Sequence, residues 1–220
     1  MYFLSFLYIQ AFGYTALQAG AASLPISIIV FFISSSAGRY VSRHGPRMLL
    51  CLSSVLMAGA LFWLSYANSD YLGSVLPGMV LMGISVGLFA APLTTVAMAA
   101  AGPGRDGLAS GVSNAVSRIG PLLGIAIFGY WIGGDYAHNL QIVLGQSQLS
   151  PEIKDFLVEY RAMMAAVQLP ENWPVAVQQQ VMELVQGLFA RSIQEVLRIS
   201  ALFALISAAL ALLYKKEDAR

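Results

Sequence analysis

Long apolar runs broken by short polar stretches set the pattern of this chain. No charged residue occurs from Met1 to Gly38, from Met48 to Ser69 or from Tyr71 to Gly104. Uncharged runs of this length predict membrane-spanning helices, because about 20 apolar residues at 1.5 Å each cover a bilayer core of roughly 30 Å. Full spans are expected at Ala16 to Ala37, Met48 to Ala67, from Tyr71 onward, Gly107 to Trp131 and about Gln194 to Tyr214. Met1 to about Gly13 is equally apolar but reaches only about 20 Å as a helix, so it reads as a truncated first span. An all-α membrane protein follows, with five full crossings and one partial crossing.

The polar breaks orient these spans. Gly38 to Arg47, Gly-Arg-Tyr-Val-Ser-Arg-His-Gly-Pro-Arg, is a short basic turn in which Arg39, Arg43 and Arg47 recur every fourth residue. Short positive loops resist translocation, so this turn marks the cytoplasmic side. Arg105 in the Ala101 to Asp106 turn, and Lys215, Lys216 and Arg220 after the last span, fall on the same side and put the C-terminus in the cytoplasm. Trp63 and Tyr66 suit the opposite aromatic belt, with Asn68, Ser69 and Asp70 beyond it.

Two spans carry more than apolar residues. Gly83, Gly87 and Ala91 recur every fourth residue before Pro92-Leu93-Thr94-Thr95, a small-residue stripe for close helix packing followed by an expected kink. From Gly107 to Trp131, Val112, Val116, Ile119, Leu123 and Ile127 form an apolar stripe, with Ser110, Asn114, Ser117, Arg118 and Pro121 on the other side. Arg118 lies about 16 Å along the helix from Gly107, near mid-membrane. A charge there costs on the order of 3 kcal/mol unless it finds a partner or a wet cavity. Either Asn114 and Arg118 face such a cavity, or Arg118 bonds backbone carbonyls at a helix kink.

The one long polar region divides the chain into spans one to five (1–135), an external helical hairpin (136–190), and the last span with its tail (191–220). Ser150-Pro151-Glu152 starts a helix whose apolar face is Ile153, Phe156, Leu157, Tyr160 and Met164. Leu169 to Pro174 breaks it, and Val177, Val181, Leu184, Val185 and Leu188 then run at helical spacing. Asp135, with His138 one turn on, is either a proton or cation site or an ordinary interfacial pair.

Composition agrees with a membrane protein. The chain has 220 residues, 58% hydrophobic and 10% charged, with mean hydropathy +0.70, against about 25% charged in ordinary soluble domains. The net charge of +1 gives no indication of nucleic acid binding. Cys51 stands alone and cannot form an internal disulfide. No Ser/His/Asp set, metal cluster or phosphate loop is present, so no enzyme, metal site or cofactor is expected.

Four stretches together carry a family resemblance: Tyr8-Ile-Gln10 with Gly13 to Gly20; Gly38 to Arg47; Gly83 to Thr95; and Arg105 to Gly120. In this order and spacing the chain resembles the C-terminal six-helix half of the fourteen-helix drug:proton antiporters of the major facilitator superfamily. A long external loop before the last helix is similar too. The resemblance implies a proton-coupled multidrug or metabolite exporter of the bacterial cytoplasmic (inner) membrane, of which this chain is the C-terminal portion. Such exporters hold a small-molecule substrate near mid-membrane between two halves and work by alternating access. Asn114 and Arg118 are then the leading cavity residues, followed by Tyr8, Gln10, Thr94 and Thr95. Gly38, Arg39, Arg43, Gly45 and Arg47 correspond to a cytoplasmic gate motif. Ser42 stands where that motif usually has an acid, which leaves the arginines to helix-end carbonyls or lipid phosphates. Beyond the bilayer, the substrate and protons, the implied partner is the missing N-terminal half. The alternative is a stand-alone small membrane protein that binds itself or another membrane protein and transports nothing.

Overall fold

Helices account for every regular element in the structure, a computed structural model that describes residues 2–101 and 104–213. Gly102 and Pro103 of the second expected turn, and the basic tail residues Lys215, Lys216 and Arg220, lie outside the described residues. In chain order the elements are α1 (Tyr2–Phe6), which continues as a π-helical turn (Leu7–Ala11), α2 (Ala16–Ala22), α3 (Leu24–His44) and α4 (Arg47–Leu64). A second π-helical turn (Tyr71–Val75) leads into α5 (Leu76–Ala101). Then come α6 (Asp106–Gln146), α7 (Pro151–Glu159), a 3-10 turn (Arg161–Ala166) and α8 (Val175–Leu213). Among the described residues five stretches are long and apolar enough to cross a membrane, and Tyr2–Ala11 is apolar but shorter. That is the expected set of five full spans and one partial span.

The chain divides into two compact units, one of residues 1–19 and 124–196, the other of 20–123 and 197–220. In the second unit α3 and α5 approach through glycine. A Cβ placed on Gly83 would come within 3.1 Å of the Ile26 Cα, and one on Gly87 within 3.0 Å of the Ile33 Cβ. The small-residue stripe is therefore a packing surface, filled by α3. Helix α4 lies against α5 through a buried hydrogen bond, Ser85 Oγ donating to the Ser53 carbonyl at 2.7 Å. Ser54 and Ser207 hydroxyls meet at 3.4 Å between α4 and α8. Such hydroxyl contacts replace the hydrophobic drive that lipid removes from helix association.

The first unit is built on a periodicity that runs beyond the expected spans. Tyr136, Leu140 and Leu144 are buried on α6, as are Val181, Val185, Leu188 and Ile193 on α8. Because the 136–144 apolar stripe keeps helical spacing and no proline interrupts it, α6 continues from its span to Gln146. Helix α8 likewise begins at Val175 rather than near Gln194. Residues 147–174, which include α7 and the 3-10 turn, lie between them. Phe156 of α7 packs edge-on against Trp173 at 5.2 Å, and Gln178 donates to the carbonyls of Pro170 and Trp173. Lys154 Nζ donates to the Ser147 carbonyl at 2.8 Å, placing a cation at the C-terminal end of α6.

The glycine contact sets a stability test. Gly83→Leu or Gly87→Leu should overpack α3 against α5 and cost about 1–3 kcal/mol, seen as a lowered thermal midpoint in detergent. Gly20→Ala, where an added Cβ meets nothing within 4 Å, should not lower it.

Candidate functional site

The basic turn is mostly helix. Nothing between Gly38 and His44 breaks α3, so Gly38, Arg39 and Arg43 lie on its final turns, and the reversal is confined to Gly45 and Pro46. Gly45 has φ +85°, a conformation that costs any residue with a Cβ, and its N–H caps the Val41 carbonyl at 2.9 Å. Ala37, Val41 and Leu49 bury themselves beneath the reversal with Tyr40, Leu88 and Ala91 packed on them. Ser42 turns its hydroxyl to the Arg39 carbonyl at 2.9 Å, and Arg39 Nη2 donates to Ser36 Oγ at 3.2 Å. Arg47 donates to the Leu212 carbonyl in the last turn of α8. A cation there satisfies a carbonyl without an intrahelical partner and matches the negative end of the helix dipole.

The polar side of α6 is open within its unit. Asn114 and Arg118 are both exposed, and among the described residues neither holds a hydrogen bond or ion pair. Of the five apolar spans α6 is the least buried. A groove of about 410 Å³ separates it from α5, lined by Leu93 and Ala97 on one side and by Val112, Ser113, Val116 and Ser117 on the other. At about 100° per residue, Asn114 and Arg118 lie on the far side of α6 from this groove. Ser117, expected on the polar side, lines the apolar groove instead. Thr94 and Thr95 are exposed, and both hydroxyls bond back to the Ala91 carbonyl at 2.9 Å beside Pro92. Back-bonded hydroxyls of this kind stabilise the turn around an internal proline and leave those groups engaged.

Tyr8 and Gln10 belong to the first unit. Tyr8, in the π-helical turn, is fully buried and stacks on Tyr14 at 5.8 Å. Gln10 lines a pocket of about 230 Å³ with Phe3, Phe6, Ile132, Met164 and Phe189. Met164 there has φ +49°, a left-handed conformation in a non-glycine residue.

Asp135 finds a partner other than its expected neighbour. Its Oδ2 accepts the Ser192 hydroxyl at 2.7 Å, and its carbonyl accepts from Asn139 Nδ2 at 2.9 Å. His138 is exposed and, among the described residues, makes no bond to it. The pair Asp135–Ser192 thus ties α6 to α8. Ser192 was missed from the sequence, although a hydroxyl at the next helical step after Val185 and Leu188 breaks an apolar stripe and signals it.

Comparison with known proteins sets these features in context. The profile of the Major Facilitator Superfamily matches residues 1–125. The chain is 27% identical over 168 residues to the multidrug export protein EmrB of Escherichia coli strain K12, covering 74% of this chain and 33% of that protein. It is 31% identical over 147 residues to the multidrug resistance protein Stp of Mycobacterium tuberculosis, covering 67% and 27% respectively. With the cephamycin export protein CmcT of Amycolatopsis lactamdurans it shares 30% over 129 residues, 57% of this chain and 26% of that one. The chain spans about a third or less of the length of these relatives.

Two substitutions test the contacts described here. Arg47→Ala should cost about 0.5–1 kcal/mol, the worth of an exposed cation at a helix end, and speed amide exchange in the last turn of α8. Ser192→Ala should cost about 1–2 kcal/mol for the lost bond to a charged acceptor, with Asp135→Asn/Ser192→Ala non-additive in thermal unfolding.

Proposed function

Since the chain belongs to the major facilitator superfamily and spans a membrane several times, we propose that it forms the C-terminal six-helix portion of a proton-coupled exporter working by alternating access. Its substrates are drugs or metabolites, and its orientation puts the Gly45-Pro46 reversal and the C-terminus in the cytoplasm of a bacterium. The names of EmrB, Stp and CmcT, all exporters or resistance proteins, support the substrate class.

The observation that carries this reading is Arg118. An exposed guanidinium about 18 Å along α6 from Asp106 falls near the middle of a bilayer. Lipid does not accept it without cost, so it faces a polar cavity, with Asn114 one turn before it. In this reading the N-terminal half supplies the opposite cavity wall, and rocking of one half against the other exposes the cavity to each side in turn. A fixed positive charge favours anionic or zwitterionic compounds over lipophilic cations. Thr94 and Thr95, whose hydroxyl oxygens can still accept although their hydrogens are engaged, contribute secondary polar contacts. Arg39, Arg43 and Arg47 act at the cytoplasmic gate, with Arg47 holding the end of α8.

Efflux from cells making the complete exporter, measured with an anionic compound and a cationic dye, tests the proposal. Arg118→Ala should lower anion efflux about tenfold or more, equivalent to a charged hydrogen bond of about 1.5 kcal/mol, and Arg118→Lys should restore part of it. Dissipating the pH gradient should abolish efflux in every active variant. Unchanged transport of both compounds by Arg118→Ala would remove Arg118 from the substrate path.

A further inference from the structure

The pocket that Gln10 lines is built from the first unit alone. Tyr2, Phe6 and Gln10, four residues apart, form one side of it, and Gly129 of α6, Phe189 of α8 and Met164 of the 3-10 turn help to complete it. Its rings are already set, with Tyr2 standing 4.9 Å from Phe6 and 5.4 Å from Phe3, centre to centre.

Two wall residues carry a cost that packing does not offset. Gln10 is half-buried among these rings, and among the described residues its amide makes no hydrogen bond. An amide kept from water without a partner costs about 1–3 kcal/mol. Met164 holds φ +49° and ψ −128°, a backbone strain of about 1–3 kcal/mol that recurs where a chain is shaped around a ligand. Its methyl is fixed against α6, since a Cβ on Gly133 would stand 3.6 Å from Met164 Cε.

Size, charge and position define the occupant. A cavity of about 150 Å³ takes one benzene ring, so about 230 Å³ takes two fused rings. No charged residue lines the pocket, so the compound is neutral. Gly129 lies about 35 Å along α6 from Asp106, past the roughly 30 Å of a bilayer core. Tyr130 and Trp131 are exposed beside it, at the level where amphipathic rings concentrate. We infer that the pocket binds a neutral two-ring aromatic compound with one polar group. Its rings lie against Phe6, Phe189 and the Met164 thioether, and its polar group bonds the Gln10 amide. A lipid acyl chain would leave that amide without a partner, and water would leave the rings uncovered.

Methionine methyl NMR of the full chain in lipid nanodiscs reads the occupancy, with the Met164 signal assigned by Met164→Leu and with naphthol and naphthalene as probes. Both compounds should shift the Met164 methyl saturably, through the ring current. Gln10→Leu should weaken naphthol about tenfold, the loss of one hydrogen bond, and leave naphthalene no weaker. Gly129→Leu places a side chain where an added Cβ meets nothing within 4 Å, and it should abolish the saturable shift. A shift that grows linearly without saturating means partition into lipid alone and overturns the proposal, as does naphthol binding unchanged by Gln10→Leu. A Met164 methyl that naphthol never moves, the result expected of a pocket held by a lipid chain, overturns it as well. A saturable shift that survives in folded Gly129→Leu rejects the site. Should that variant fail to fold, the comparison of naphthol with naphthalene in Gln10→Leu decides.

Discussion

Two glycines set the distance between α3 and α5, and the other helices of that unit take their places from this contact. In lipid, apolar side chains gain little by leaving one hydrocarbon surface for another, so association depends on close fit and on hydroxyl bonds. Gly83 and Gly87 supply the fit, since the backbone of α5 approaches Ile26, Val30 and Ile33 with no side chain between. With α5 held there, Ser85 reaches the Ser53 carbonyl and seats α4, and α4 in turn meets α8 through Ser54 and Arg47. Each later contact is more exposed than the one before it.

The spans were legible in the sequence because the bilayer imposes a length and excludes charge, and both constraints leave plain marks. The stripe at Gly83 and Gly87 was equally plain, since spacing by four on a helix means one face. Boundaries were less legible. Where α6 leaves its apolar span, the Tyr136, Leu140 and Leu144 stripe continues among polar residues, and polarity hides a periodicity that burial later reveals. The reversal after α3 was read as ten residues because its charges are spread over ten. The backbone turns at Gly45 and Pro46 alone, and the spread of the charges is wider than the turn itself.

The candidate residues divide along the same line. The exposure of Asn114 and Arg118 follows from helical angle alone, which a sequence states directly. The burial of Tyr8 does not, because the π-helical turn at Leu7–Ala11 shifts the angular register, and an extra residue in one turn leaves no compositional trace. Asp135 was seen as an acid beside a histidine, four residues away or fewer being all that a sequence can pair. Its real partner, Ser192, lies on another helix, and only packing brings the two together.

The openness of α6 bears on how the chain enters the membrane in the first place. During synthesis each span is judged by its own sequence, with Leu, Ile, Val and Phe each favouring insertion by about 0.3–0.6 kcal/mol and a central arginine opposing it by about 2.5–3.5. Arg118 thus offsets roughly six apolar residues of its own span, and Ser110, Asn114, Ser117 and Pro121 oppose insertion further. Helix α5, without any charge, partitions unaided. Helix α6 needs neighbours already in the bilayer to receive it, so the order in which the helices emerge from the ribosome is part of what makes its polar face affordable.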